Sequence, residues 1–289
     1  MGARQVSFIA EVSSNHASDL ARCYRFIDAA AGAGCDAIKF QLFRIDQLFA
    51  PEILQRSEKH RRRREWELPT EFIPELARHC AGQGIQFICT PFYLEAVEIL
   101  APHVDCLKIA SYELLWDDLL IACAESGKPV MLSSGMATLD EARHAVELVR
   151  RHGCGEVSLL HCLSAYPAPV EQVNLAAIET LRQACRCPIG WSDHTVAPGV
   201  IHRAVHRWGA EIIEFHLDLE GAGAEYAAGH CWLPQQIKPV IDDVRLGLQA
   251  DGDGVKAPAP GELDEVVWRA DPEDGLRPFK PVRARYRGE

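Results

Sequence analysis

"EVSSNHASD", residues 11–19, decides the fold. It overlaps the end of a strand-like run, "QVSFIAEVS" (5–13), and contains no glycine. An open doubly wound sheet usually places a Gly-rich phosphate turn here, between its first strand and first helix. A second stretch, "GAGAEYAAG" (221–229), fails the G-x-G-x-x-G spacing and follows the last strand-like run, not the first. Neither stretch supports a dinucleotide-type sheet, which leaves a closed barrel.

Outward from residue 11 the chain alternates. Apolar runs rich in Val, Ile and Phe recur at 5–13, 35–42, 85–92, 106–111, 129–136, 157–164, 188–194 and 211–218. Helical periodicity fills the gaps near 18–33, 70–82, 94–101, 117–126, 139–152, 174–184, 198–208 and 234–248. Gly127 with Pro129, and Gly153, supply stop signals, while Thr138 with Glu141 reads as a capping box. Eight such units within 1–250 predict an α/β fold, the (β/α)8 TIM barrel. Residues 251–289 read as a Pro- and charge-rich extension, too short for a second domain, with a basic and extended last segment. The charge run "QRSEKHRRRREWEL" (55–68) lengthens the second βα loop. It has two readings, a solvated helix or a cationic lid over the barrel mouth.

With 289 residues, 48% hydrophobic and 25% charged, the chain has ample material for a core. A formal net charge of −11 argues against nucleic acid as a partner. No apolar run reaches the roughly 18 residues of a membrane span, and the N-terminus lacks a signal peptide's pattern, so a cytoplasmic location is expected. Eleven cysteines without a C-x-x-C pair read as buried free thiols.

Alternate barrel residues point inward, and the strands' C-terminal ends carry the chemistry. In 37–42 the apolar Ile38, Phe40 and Leu42 must meet the helices, which turns Ala37, Lys39 and Gln41 inward. The same logic sets Glu11 with Ser7, Ile9 and Ser13, and Glu214 with His216. Lys108 is followed by Ser111 and Glu113 just beyond its strand, and "SDHT" ends the seventh with Ser192 and His194. Buried charges in such number must compensate one another and a ligand. His194 and His216 end neighbouring strands, so they either share a divalent metal or form a hydrogen-bonded pair. Lys39 and Lys108 read as a Schiff-base lysine or as charged holders of phosphate or carboxylate. The strand-end serines Ser111, Ser133, Ser134, Ser164 and Ser192 favour the anion cradle.

In order along the chain, "IAEVSSNHASDL", "DAIKFQLF", "CTPF", "LKIASYEL", "GKPVMLSSGMATLDE", "LLHCLSAYPAP", "VNLAAIETL", "GWSDHT", "IIEFH" and "GVKAPAPGE" appear. Together they resemble the sialic acid (nonulosonate) synthases, which make N-acetylneuraminic, legionaminic and pseudaminic acids. The resemblance implies condensation of phosphoenolpyruvate with an open-chain N-acylated hexose, of the N-acetylmannosamine type, assisted by a divalent metal (Mn2+ or Mg2+). It implies His194 and His216 as metal ligands. Lys39, Thr90, Lys108, Ser111, Ser133 and Ser192 would hold phosphoenolpyruvate. Gln41 and Tyr166 would touch the acceptor, with Ser164 where neuraminate synthases tend to carry Asn. Glu11 and Glu113 would lie near the reacting carbons. A homodimer is also implied.

Three departures fall on the acceptor side. The chain ends where the family's antifreeze-like domain, with its arginine, would begin, leaving Arg283, Arg285 or Arg287 as substitutes. The family's "PGPD" reads "GAGAEYAAGH" (221–230), with Glu225 or His230 in place of its Asp. Ser164 is the third. Alternatives to the synthase are a Schiff-base pyruvate aldolase and a non-catalytic sugar-binding homologue.

Overall fold

The computed structural model describes residues 5–286, so Arg287 lies outside the described residues. Eight parallel strands run β1 Ser7–Glu11, β2 Ala37–Leu42, β3 Gln86–Pro91, β4 Cys106–Ile109, β5 Val130–Ser133, β6 Val157–Cys162, β7 Ile189–Asp193 and β8 Ile212–Leu217. Each pairs with the next, and β8 pairs back onto β1 from Ser7↔Ile212 to Glu11↔His216, which closes the barrel. The intervening helices are α1 Leu20–Ala33, α2 Ile73–Gln83, α3 Leu94–Leu100, α4 Asp117–Glu125, α5 Leu139–Arg151, α6 Ala177–Cys185 and α7 Pro198–His202, with α8 Pro234–Ala250 after β8. The fold is the expected (β/α)8 TIM barrel.

Local chemistry sets the boundaries. Asp19 caps α1 by accepting from the amides of Ala21 and Arg22, and Gly34 closes it at φ 90°. The capping box of Thr138 and Glu141 opens α5. Ile38, Phe40 and Leu42 join the apolar layer between sheet and helices, where Phe40 meets Phe87 edge-on at 6.1 Å. Ala37, on the other face, joins a small inner cluster with Ile9, Ile88, Cys106, Met131 and Leu160. That plug fills the barrel's N-terminal interior, so the inward polar residues of the same strands lie above it. All eleven cysteines are buried and unpaired.

Two features differ from the sequence reading. A two-residue strand, β9 Cys231–Trp232, adds to β8 with Cys231 opposite His216. It is too short to show an alternation. Among the described residues the chain divides near Gln249 into the barrel and a tail from Ala250. The tail's basic end is not extended. It forms a helical turn over Lys280–Arg283, started by Pro281, with Arg283 bound to Asp274 at 2.9 Å. No helix among the described residues is long and apolar enough to cross a membrane.

Candidate active site

A cavity of about 660 Å³ opens at the C-terminal end of the barrel. Four charged side chains from β1, β2, β4 and β8 form its foundation: Glu11, Lys39, Lys108 and Glu214, all buried. Lys39 forms an ion pair with Glu11 and lies 3.7 Å from Glu214. Lys108 donates to Glu214 at 3.2 Å, as does the hydroxyl of Ser192. Glu214 is therefore an acid inside an apolar strand because it bridges two buried lysines. Glu11 also accepts from the Ser13 amide and the Gln41 side chain, both at 2.7 Å.

Electrostatics separate the two lysines. Burial opposes charge on Lys39, but Glu11 and Glu214 more than offset it, and its pKa rises. Burial likewise opposes charge on Glu214, and the two lysines overcome it and hold the carboxyl well below its usual range. Lys108 is pushed down, first by burial and then by Lys39, because it shares its one carboxylate. It is the under-compensated cation that an incoming anion would stabilise.

Buried polar atoms without partners surround this foundation. Among the described residues, the hydroxyls of Thr90 and Ser133 and one carboxyl oxygen of Glu113 neither accept nor donate. Native interiors tolerate few such atoms, and their gathering at one strand end points to a ligand. Burial pushes Glu113 up to about 7. Ser111 accepts from the Gly135 amide at 3.0 Å. A Cβ at Gly135 would lie 2.8 Å from the Ser111 hydroxyl and collide with that of Ser164, so only glycine lets the β5 loop pack here. Ser134 is committed to the Leu160 carbonyl. Cys162, which the sequence reading passed over as a core thiol, lines the same cavity. Burial favours its neutral form, but His194 outweighs that and lowers its pKa.

The two strand-end histidines face each other with ring centroids 5.3 Å apart. Asp193 fixes the end of β7 from behind by accepting from the indoles of Trp191 and Trp232, both at 3.1 Å. His194 Nδ1 donates to the Leu163 carbonyl at 2.9 Å. His216 Nδ1 pairs with Glu225 at 3.0 Å. Both rings thus commit Nδ1 to an oxygen acceptor, which leaves Nε2 to act as a ligand, the usual outer-shell arrangement of metal-binding histidines. The residues present fit a divalent ion. His216, Glu225, His230 and Cys231 hold donor atoms all within 4.8 Å of one another, a group that shares His216 with the pair but does not include His194.

Glu225 and His230, the two candidates in "GAGAEYAAGH", both line the cavity. Burial would keep Glu225 neutral, but hydrogen bonds from His216 and His230 override it and hold the carboxyl far below its usual range. Ser13 reinforces it at 2.6 Å. Tyr166 packs its ring 4.3 Å from His194 and 5.2 Å from His230. Gln41 and Tyr166 line the cavity. Glu11 meets the lining through Lys39, Gln41 and Ser13, while Thr90 and Ser164 are not among the lining residues. Sequence reasoning missed the walls, formed by Phe43, Phe49 and Phe92 and by Arg63 and Trp66 of the 55–68 run. No strand or long-helix periodicity marks them, since they sit in βα connections, Arg63 and Trp66 on a short helical turn.

A barrel whose mouth joins buried lysines, orphan hydroxyls and two tautomer-fixed histidines is built as an enzyme for a small anionic substrate. The chain belongs to the NeuB family, whose model matches residues 26–256. It is 38% identical over 263 residues to an uncharacterized protein of Methanocaldococcus jannaschii, covering 90% of this chain and 76% of that one. It is 32% identical over 278 residues to the N,N'-diacetyllegionaminic acid synthase of Campylobacter jejuni, covering 91% and 82%. The N-acetylneuraminic acid synthetase of Leptospira borgpetersenii, solved in complex with citrate, superposes with a TM-score of 0.81 at 32% identity. That likeness covers 92% of this chain and 91% of the other.

Proposed function

We propose that this protein condenses phosphoenolpyruvate with the open-chain aldehyde of an N-acylated hexose, giving a nine-carbon 2-keto sugar acid and phosphate. The observation that carries the reading is the under-compensated Lys108 beside Lys39, in one cavity with the His194–His216 pair. Lys108 and the free hydroxyl of Ser133 offer donors that a phosphate and a carboxylate need, and Ser192, now turned to Glu214, can swing its hydroxyl to the same anion. Gln41 and Tyr166 face the acceptor. His194 and His216 would hold a divalent ion, which when bound polarises the aldehyde oxygen.

Carbon–carbon bond formation joins C3 of phosphoenolpyruvate to the aldehyde carbon, whose oxygen takes a proton to become a hydroxyl. Water adds to C2, and the C–O bond to phosphate breaks, leaving the ketone. Glu11 is engaged by Lys39, Gln41 and Ser13, which suits a positioning role. Glu113 has an unpartnered oxygen and a pKa near the working pH, which suits the group that takes the water's proton.

That assignment sets a sign. A base must be ionised, so turnover should decline as pH falls below about 7. Glu113→Gln should slow turnover and flatten this acidic limb, read from pH–rate profiles. The function itself is tested by phosphate release from phosphoenolpyruvate with Mn2+ against a panel of N-acetylated and di-N-acetylated hexoses. No release with any of them would overturn it. The lowered pKa of Lys108 also suits a Schiff-base lysine. Borohydride trapping of a pyruvate adduct on Lys108 would favour that second reading, whereas loss of turnover in EDTA would favour the first.

A further inference from the structure

We infer that Arg63, Trp66 and Phe49 form the subsite for the acceptor's acylamido group, an inference that rests on the condensation reading for the identity of the sugar. The charge run 55–68 folds into three short helical segments, Pro51–Arg56, Glu58–Arg61 and Arg62–Trp66. Three of its four consecutive arginines are tied to their own surroundings. Arg61 donates to the Leu54 carbonyl, Arg62 pairs with Glu58 and Arg64 with Asp46. Arg63 is different. It lines the cavity, and among the described residues its guanidinium has neither a hydrogen-bond acceptor nor an acidic partner. It lies instead over two rings, 5.6 Å from the centroid of Phe49 and 5.3 Å from that of Trp66. The run is thus neither wholly solvated nor a general cationic lid, because one arginine is turned inward.

The segment is anchored. Ser18 donates to the carbonyls of Glu65 and Glu67, and Glu67 accepts from the Ile45 amide at 2.7 Å. Arg63 therefore keeps its place on a fixed loop.

The surroundings select the ligand. Phe49, Trp66, Ile45 and Leu48 make this wall apolar, with one planar donor set in it. A sugar's hydroxyl groups both donate and accept, and a donor-only wall leaves half of that unmet. A phosphate calls for several donors. An acylamido group matches better than a hydroxyl: its carbonyl accepts from the guanidinium and its methyl packs on the rings, while its single N–H can face the open cavity away from this wall.

The test compares N-acetylmannosamine with mannose as acceptors for the wild type, Arg63→Ala and Arg63→Lys, in steady-state kinetics and in titrations of tryptophan fluorescence. Losing a hydrogen bond to a charged group costs about 10- to 100-fold. Arg63→Ala should raise KM for N-acetylmannosamine by that factor, leave KM for phosphoenolpyruvate unchanged and lower discrimination against mannose. Arg63→Lys should recover only part. The ligand-induced fluorescence change should disappear in Trp66→Phe. Unaltered discrimination in Arg63→Ala, or a loss seen only with a 6-phosphorylated hexose, overturns the subsite while wild-type turnover leaves the condensation reading standing. If the wild type releases no phosphate, acyl-dependent binding that requires Arg63 still supports the subsite, and its absence overturns it.

Discussion

His216→Ala is expected to lower phosphate release by about a thousandfold or more, since polarising a carbonyl oxygen is worth several kcal/mol. The ring is one of two that commit Nδ1 to an oxygen, and it shares its acceptor with His230. Activity alone would not separate a ligand from a residue that merely shapes the pocket. Mn2+ binding followed by electron paramagnetic resonance does. His216→Ala and His194→Ala should each abolish tight binding. Glu225→Ala, which removes the acceptor shared by His216, His230 and Ser13, should weaken it by at least about 10- to 100-fold. His202→Ala serves as a control, because that ring, at the end of the outer helix α7, stacks on His206 5.8 Å away. Tight Mn2+ binding by His216→Ala, with turnover within a few-fold of wild type, would remove this residue from the ligand set.

Much of this was legible in the residues, for reasons specific to strands. In 37–42, period-two alternation separates Ile38, Phe40 and Leu42 from Lys39 and Gln41, and the barrel's two faces follow directly. Because β-strands fix side-chain direction, any polar residue on the inward face near a strand end arrives at one mouth. That places Lys39, Lys108, Ser192 and Glu214 together without any knowledge of loops. The assignment of partners was not legible. From the sequence Glu214 is only an inward acid on the face of His216, and the arrangement of β2, β4 and β8 around the barrel sets it between Lys39 and Lys108.

Loops are a different matter. Nothing in "GAGAEYAAGH" chooses between Glu225 and His230, because a loop has no period and its length relative to "PGPD" is ambiguous. Both line the cavity, in a connection that β9, two residues long, ties back to β8 with Cys231 opposite His216. The arginines of 61–64 are equivalent in composition, and only the tertiary partners of Arg61, Arg62 and Arg64 single out Arg63.

Glu214→Ala is expected to cost about 3–5 kcal/mol of unfolding free energy, as removing one side of a buried ion pair does. The magnitude depends on what remains. Lys39 keeps Glu11, but Lys108 has Glu214 as its one carboxylate among the described residues, so the substitution leaves a fully buried cation alone. Glu214→Ala combined with Lys108→Met should therefore restore most of the loss, because it removes the orphaned charge along with the acid. Urea unfolding at fixed pH reads both. The pH dependence has a definite sign. Glu214 has a depressed pKa in the folded chain, so its contribution is fully present above the ordinary carboxyl value of 4.5 and fades as pH falls toward the depressed one. The stability gap between wild type and Glu214→Ala should narrow over that acidic window. If Glu214→Ala unfolds within about 1 kcal/mol of wild type, the lysines do not rely on this carboxylate, since surface-like pairs are worth no more than that. The compensated quartet beneath the cavity would then be the wrong description of how this barrel carries its charge.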